Sequence, residues 1–114
     1  MAGGRQASIN RFEIWLVHLE PVIGSEISKT RPCVVISPDP QNRHLNTVII
    51  APMTSTRRGF PTRLATRFKD VDGELVFDQM RAVDKMRLVK RLGIIDERYH
   101  TPICNLLQEL FKYD

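Results

Sequence analysis

The chain reads as a mainly β domain with one C-terminal helix, and three observations predict it. Short runs rich in β-branched and aromatic residues recur between Phe12 and Ile95, separated by turn-forming Gly, Pro, Asn and Asp. The period changes only near the end, where Ile103, Leu106, Leu107, Leu110 and Phe111 fall at helical spacing on one face. A length of 114 residues holds one domain and leaves no room for two. Roughly five or six short strands with turn signals at this spacing suggest a small, partly open barrel.

Each element has its own justification. Residues 1–11 read as a flexible lead-in, and 12–114 as the single barrel domain. Residues 12–19 form a first strand, closed by Glu20-Pro21. Residues 22–30 show no periodicity and read as a loop. Residues 31–37 are nearly continuous in apolar character, which predicts a strand buried on both faces. Pro38-Asp39-Pro40 with Asn42 predicts a turn. Residues 47–53 form a third strand, followed by a polar, basic loop over 54–59. Residues 62–65 form a short strand, and Asp72-Gly73 is a hairpin signal. Residues 74–78 form a fifth strand and 88–95 a sixth, interrupted by Gly93. For the helix, Thr101 as N-cap with Pro102 at the first helical position is one solution; a start near Asp96 is another.

Composition narrows the function classes. Apolar residues make up 42% and charged residues 26%, which argues against disorder. A net charge of +4 and a pI near 9.4 favour anionic partners such as nucleic acid. No apolar run approaches the roughly 20 residues that span a bilayer. The first ten residues lack an apolar signal-peptide core, so the expected location is cytoplasmic. There Cys33 and Cys104 should be reduced thiols, and Cys33, in the run Cys33-Val34-Val35-Ile36, a small core residue.

The standard catalytic constellations are missing. There is no phosphate-binding glycine loop, no Cys-x-x-Cys and no His-Glu-x-x-His, and His18, His44 and His100 are scattered. Neither a metal nor another cofactor is therefore expected. What remains is a set of arginines, hydroxyls and carboxylates. RNA supplies a reaction that such groups can run, because its 2′-hydroxyl can attack the adjacent phosphate. The protein need only take that proton, stabilise charge on the phosphate and assist the leaving 5′-oxygen. Arginine suits the second task, since its planar guanidinium grips phosphate through two parallel bonds. Basic residues concentrate at Arg57, Arg58, Arg63, Arg67 and Lys69, with Phe60 among them, and again at Arg81, Lys85, Arg87, Lys90 and Arg91. A basic loop carrying an aromatic could track a backbone and stack a base. The competing reading is an ordinary solvated surface.

An ordered set of short motifs makes the chain less anonymous. It comprises residues 13–19 with Pro21, Gly24-Ser25-Glu26, Arg31-Pro32 opening an apolar strand, Ser37-Pro38 and Asn42-Arg43. It continues with Ala51-Pro52-Met53-Thr54-Ser55, Gly59-Phe60-Pro61, Asp78-Gln79-Met80-Arg81 and Val83-Asp84-Lys85. In this order, over roughly residues 12–95, the set resembles the MazF/PemK toxin family. The resemblance implies an SH3-like barrel that forms a homodimer. It further implies a sequence-selective, metal-independent endoribonuclease that cuts single-stranded RNA and leaves a 2′,3′-cyclic phosphate and a 5′-hydroxyl. Such a toxin is held by a cognate antitoxin protein.

By the same resemblance Arg31 acts on the scissile phosphate and Thr54 supplies the hydroxyl across the site. Glu26 and Asp78 are alternative general bases, and the choice between them stays open. The plasmid-borne branch that uses the aspartate has an arginine where Val76 stands and a histidine where Ser25 stands. Ser25, Ser55, Arg57, Arg58, Phe60 and Gln79 are the expected RNA contacts. Gln79 could instead hold the neighbouring loop, and His18 reads as a strand-surface residue. Two other functions remain in view: a toxin of the same fold that poisons a protein target, as the gyrase-directed CcdB family does, and a non-catalytic RNA-binding module. Fold alone does not separate them.

Overall fold

The computed structural model describes residues 8–113. Along the chain lie β1 (Glu13–His18), β2 (Thr30–Val35), α1 (Asp39–His44), β3 (Thr47–Thr54), β4 (Arg63–Phe68), β5 (Val71–Val76), β6 (Arg81–Asp84), β7 (Leu88–Ile94) and α2 (His100–Leu110). Short 3-10 turns occupy Phe77–Gln79, Lys85–Arg87 and Glu97–Tyr99. The strands form one antiparallel, 7-stranded sheet in the order β4-β5-β3-β2-β1-β7, with β6 beside β3. The hydrogen-bonded path does not close, yet its two ends meet: the Phe68 ring of β4 lies over Gly93 of β7. This is the small, partly open barrel expected from the strand pattern.

Alternation along the central strands builds two cores. Trp15, Val17, Cys33, Val35, Val48 and Ile50 point to one face, and Ile14, Val34, Ala51 and Leu75 to the other. Residues Cys33 to Val35 are fully buried, as a continuous apolar run requires. The helix α2 covers the second face through Ile103, Leu106, Leu107 and Leu110. Its first turn is tied to the sheet where His100 stacks on Phe12, with ring centroids 3.9 Å apart.

The differences from expectation have local causes. The Pro38–Asn42 segment is the short helix α1, not a turn; Pro40 sits within its first positions, where no backbone donor is needed. The hairpin between β4 and β5 turns at Lys69-Asp70, where both residues have positive φ (50° and 63°). Asp72-Gly73 is inside β5, and there Gly73 serves proximity: a Cβ would lie 2.1 Å from the Thr54 carbonyl oxygen. The short strand β6 was not anticipated. The fifth strand ends at Val76, and Asp78 sits in the 3-10 turn that follows. The helical region starts early: Asp96 caps the Glu97–Tyr99 turn by accepting from Arg98 N at 2.9 Å, and the chain runs on into α2. Of the expected lead-in, residues 1–7 lie outside the described residues. Ile9 is buried in the first core and Arg11 N–H donates to Asp39 Oδ1 at 2.7 Å.

Candidate active site

A proline opens the site. The β2–β3 ladder ends with Cys33 opposite Pro52. Pro32, the next residue of β2 on that edge, has no N–H to extend the pairing, and β3 leaves β2 and continues beside β5, with Thr54 opposite Glu74. Where the strands part lies a cavity of about 380 Å³. Arg31 borders it from β2, and Thr54 and Ser55 from the end of β3. Pro32, Met53, Phe68, Val71 and Leu92 give it an apolar floor, and Lys69 stands on its rim.

Arg31 is held by one side of its guanidinium. Its Nε donates to the Ser28 carbonyl at 3.1 Å, and its two terminal nitrogens have no partner among the described residues. That leaves a forked pair of donors free for an anion. The Thr54 Oγ1 accepts from Thr56 N at 3.2 Å, which leaves its own proton free to be donated. Arg81 and Arg87 donate to the carbonyls of Leu19 and of His18 and Glu20, and neither is paired with a carboxylate among the described residues. Burial pushes the Cys33 thiol up to about 12 even though Arg31 and Arg81 pull it down. Cys33 is thus an inert core group with two cations close by.

Other expected residues fall outside the cavity. Glu26 lies in the loop between β1 and β2; its Oε1 accepts from Ile23 N at 2.7 Å, and its Oε2 has no partner among the described residues. Gln79 Oε1 accepts from Ile27 N at 2.6 Å, so this side chain holds that loop. Asp78 is engaged on both oxygens. Oδ1 accepts from Arg63 Nε and Thr62 Oγ1, each at 2.9 Å, and Oδ2 from Arg63 Nη2 at 3.2 Å. The Arg63 hydrogen bonds hold its carboxyl below the usual range despite some burial. Ser25 and Arg58 are exposed, and Phe60 is half-exposed with the Arg63 guanidinium 5.1 Å from its ring centre. His18 is on the surface, as expected, beside the Thr30 hydroxyl.

The basic stretches divide once their partners are known. Arg63 is bound to Glu74 and Asp78, Arg67 to Asp72, and Arg91 to Glu13. Arg57 donates to the carbonyls of Gly73 and Thr66. Arg58 and Lys69 have no carboxylate partner among the described residues, although the Lys69 ammonium rests 5.5 Å from the Phe68 ring centre. Sequence reasoning sorted these residues into two basic stretches, and it missed the buried Glu74 that organises part of the first. Its position in a strand next to Leu75-Val76-Phe77 carries no sign of a buried charge. No group of three or more His, Cys, Asp or Glu side chains able to hold a metal ion occurs among the described residues.

Comparisons with known proteins agree with this architecture. Residues 10–111 match the family model described as PemK-like, MazF-like toxin of type II toxin-antitoxin system. An endoribonuclease MazF from Staphylococcus epidermidis is 33% identical over 105 residues, covering 87% of this chain and 88% of that protein. Among solved structures, MazF from Deinococcus radiodurans superposes with a TM-score of 0.82 at 21% identity, covering 95% of this chain and all of its own. A mycobacterial endoribonuclease, solved in complex with its cognate antitoxin, reaches 0.76 at 22% identity over 93% of this chain and 99% of that one.

Proposed function

The chain belongs to the PemK-like, MazF-like toxin family of type II toxin–antitoxin systems, and from that premise we propose that it cleaves single-stranded RNA without a metal ion. It acts in the cytoplasm as the toxin of a toxin–antitoxin pair, works as a homodimer and is silenced by a cognate antitoxin protein. The observation that carries this reading is the pairing of Arg31 and Thr54 across one cavity, with the guanidinium fork of Arg31 unspent.

The chemistry follows from those groups. A phosphate of the RNA backbone sits against Arg31, whose terminal nitrogens donate to its non-bridging oxygens. The Thr54 hydroxyl donates from the opposite wall. The 2′-oxygen forms a bond to phosphorus as its proton passes to a carboxylate. The bond to the 5′-oxygen breaks, and that oxygen leaves with a proton from solvent. The products are a 2′,3′-cyclic phosphate and a 5′-hydroxyl. Charge on the phosphate peaks in the transition state, where preorganised donors contribute about 10²–10³-fold each.

Glu26 is the better proton acceptor. Asp78 has both oxygens occupied and is already biased toward its ionised form, which weakens it as a base. Glu26 keeps one oxygen free in the loop that also fixes Arg31 through Ser28.

The test is digestion of a long single-stranded RNA in excess EDTA, with sequencing of the fragment ends. Wild-type protein should cut, and the 3′ ends should carry cyclic phosphate. Arg31→Ala should slow cleavage about 10²–10³-fold with the fold intact, and Glu26→Gln should do so more than Asp78→Asn. Loss of activity on chelation, or linear 3′-hydroxyl ends, would rule the mechanism out.

A further inference from the structure

We propose that Glu74 is a positioning residue that locks the 55–61 loop into the shape that receives RNA beside Thr54; this rests on the nuclease reading above. The starting observation is where its carboxylate lies. Glu74 is 2% exposed, on the strand directly opposite Thr54 and beside the apolar Leu75 and Val76. A buried carboxylate is expensive unless its oxygens are filled. Here they are filled from the loop and from Arg63 at the start of β4. Oε1 accepts from Arg58 N at 3.1 Å and from Arg63 Nη1 at 3.1 Å, and Oε2 accepts from Gly59 N at 3.3 Å.

Two successive backbone amides therefore converge on one carboxylate, which makes the loop itself an anion-binding turn closed by an internal anion. Gly59 has φ +70°, a left-handed conformation suited to glycine, and a Cβ there would meet nothing within 4 Å. The loop is pinned again where Arg57 Nε donates to the Gly73 carbonyl at 2.9 Å. With Arg57 and the two amides fixed, the loop folds back over the β4–β5 hairpin. Ser55 is left at the cavity, and the Arg58 side chain is left without a carboxylate partner among the described residues.

Arg63 links this lock to Asp78. One guanidinium serves both carboxylates: Nη1 goes to Glu74, and Nε and Nη2 go to Asp78. The aspartate matched by the resemblance to a general base is thereby a support for the arginine that neutralises Glu74. Both acids position the loop, and neither touches the reacting atoms.

The experiment compares Glu74→Gln and Gly59→Ala with wild type in the full-length chain. Glutamine keeps the size but presents an NH2 group where an acceptor is needed. Alanine at 59 disfavours the left-handed backbone without filling any packed space, so this variant keeps the core intact even if Glu74→Gln unfolds. Amide exchange at Arg58 and Gly59 should be slow in wild type and at least tenfold faster in either variant, with the amide of Leu75 unchanged in Gly59→Ala. On an RNA oligonucleotide both variants should raise KM about five- to tenfold with kcat within twofold, and cut-site mapping of a long RNA should show added sites. Unchanged exchange at Arg58 and Gly59 in a folded Glu74→Gln overturns the proposal, as does a fall in kcat at constant KM. Should wild type cut no RNA, the nuclease reading fails, while the exchange rates still decide whether Glu74 holds the loop.

Discussion

The two loops that flank the cavity are fixed in opposite ways. The 22–30 loop is tied down by neutral or singly charged contacts at its margins: Gln79 to Ile27 N, Arg31 to the Ser28 carbonyl, and Glu20 to Lys29 N. Its own carboxylate, Glu26, stays exposed. The 55–61 loop is fastened to a buried carboxylate and a shared arginine. A group that must gain and lose a proton benefits from access to water and from an unsaturated oxygen, which the first loop provides. A surface that must keep one shape benefits from fully satisfied buried charge, which the second provides. The division of labour is set by how each carboxylate is partnered, not by how many charges each loop carries.

The largest way to break this contrast is to remove the shared arginine. Arg63→Ala leaves Glu74 buried without its cation and should destabilise the fold by about 3–5 kcal/mol, read by urea unfolding. A loss below about 1 kcal/mol would mean that the loop amides alone satisfy Glu74. Acid is a milder probe. Burial pushes Glu74 up, but hydrogen bonds from Arg58 N, Arg63 and Gly59 N outweigh it, and its net position is below the usual range. Glu13 behaves likewise through Asn10, Trp15 and Arg91, and Asp78 is held low chiefly by Arg63. A carboxyl depressed in the folded state binds fewer protons there than in the unfolded chain. Its stabilisation is complete above the ordinary carboxylate range and is lost as pH falls below that range through the folded values. Urea titrations from pH 7 to 3 should show that decline, and Glu74→Gln should flatten it; an equal slope in the variant would remove Glu74 from the account. The smallest effect belongs to the first loop. Gln79→Ala removes one acceptor and should cost about 1 kcal/mol, with faster amide exchange confined to Ile27 and its neighbours. Exchange spreading to the second loop would show that the two loops are not independent.

Much of this frame was legible in the sequence. The central strands announced themselves through runs such as Cys33-Val34-Val35, because burial on both faces demands continuous apolar residues. The helix was legible in its 3.6-residue stripe. The strand β6 was not, since Arg81-Ala82-Val83-Asp84 has one buried residue and charges at both ends. Asp72-Gly73 was misleading because a glycine demanded by close packing against Thr54 looks the same as one demanded by a turn. Arg31 and Thr54 were visible as site candidates through the resemblance. The pairing of Arg63 with Glu74 and Asp78 depends on contacts between residues 11 and 15 positions apart across folded strands, which no local pattern encodes.

The proline beside the cavity, Pro32, has a consequence for permanence. A gap maintained by side-chain packing can zip shut when a rotamer changes. The gap beside Arg31 is different, because Pro32 lacks the donor that a zipper would need next. The aperture is written into the covalent chain, so it stays open before any guest arrives and needs no guest to hold it.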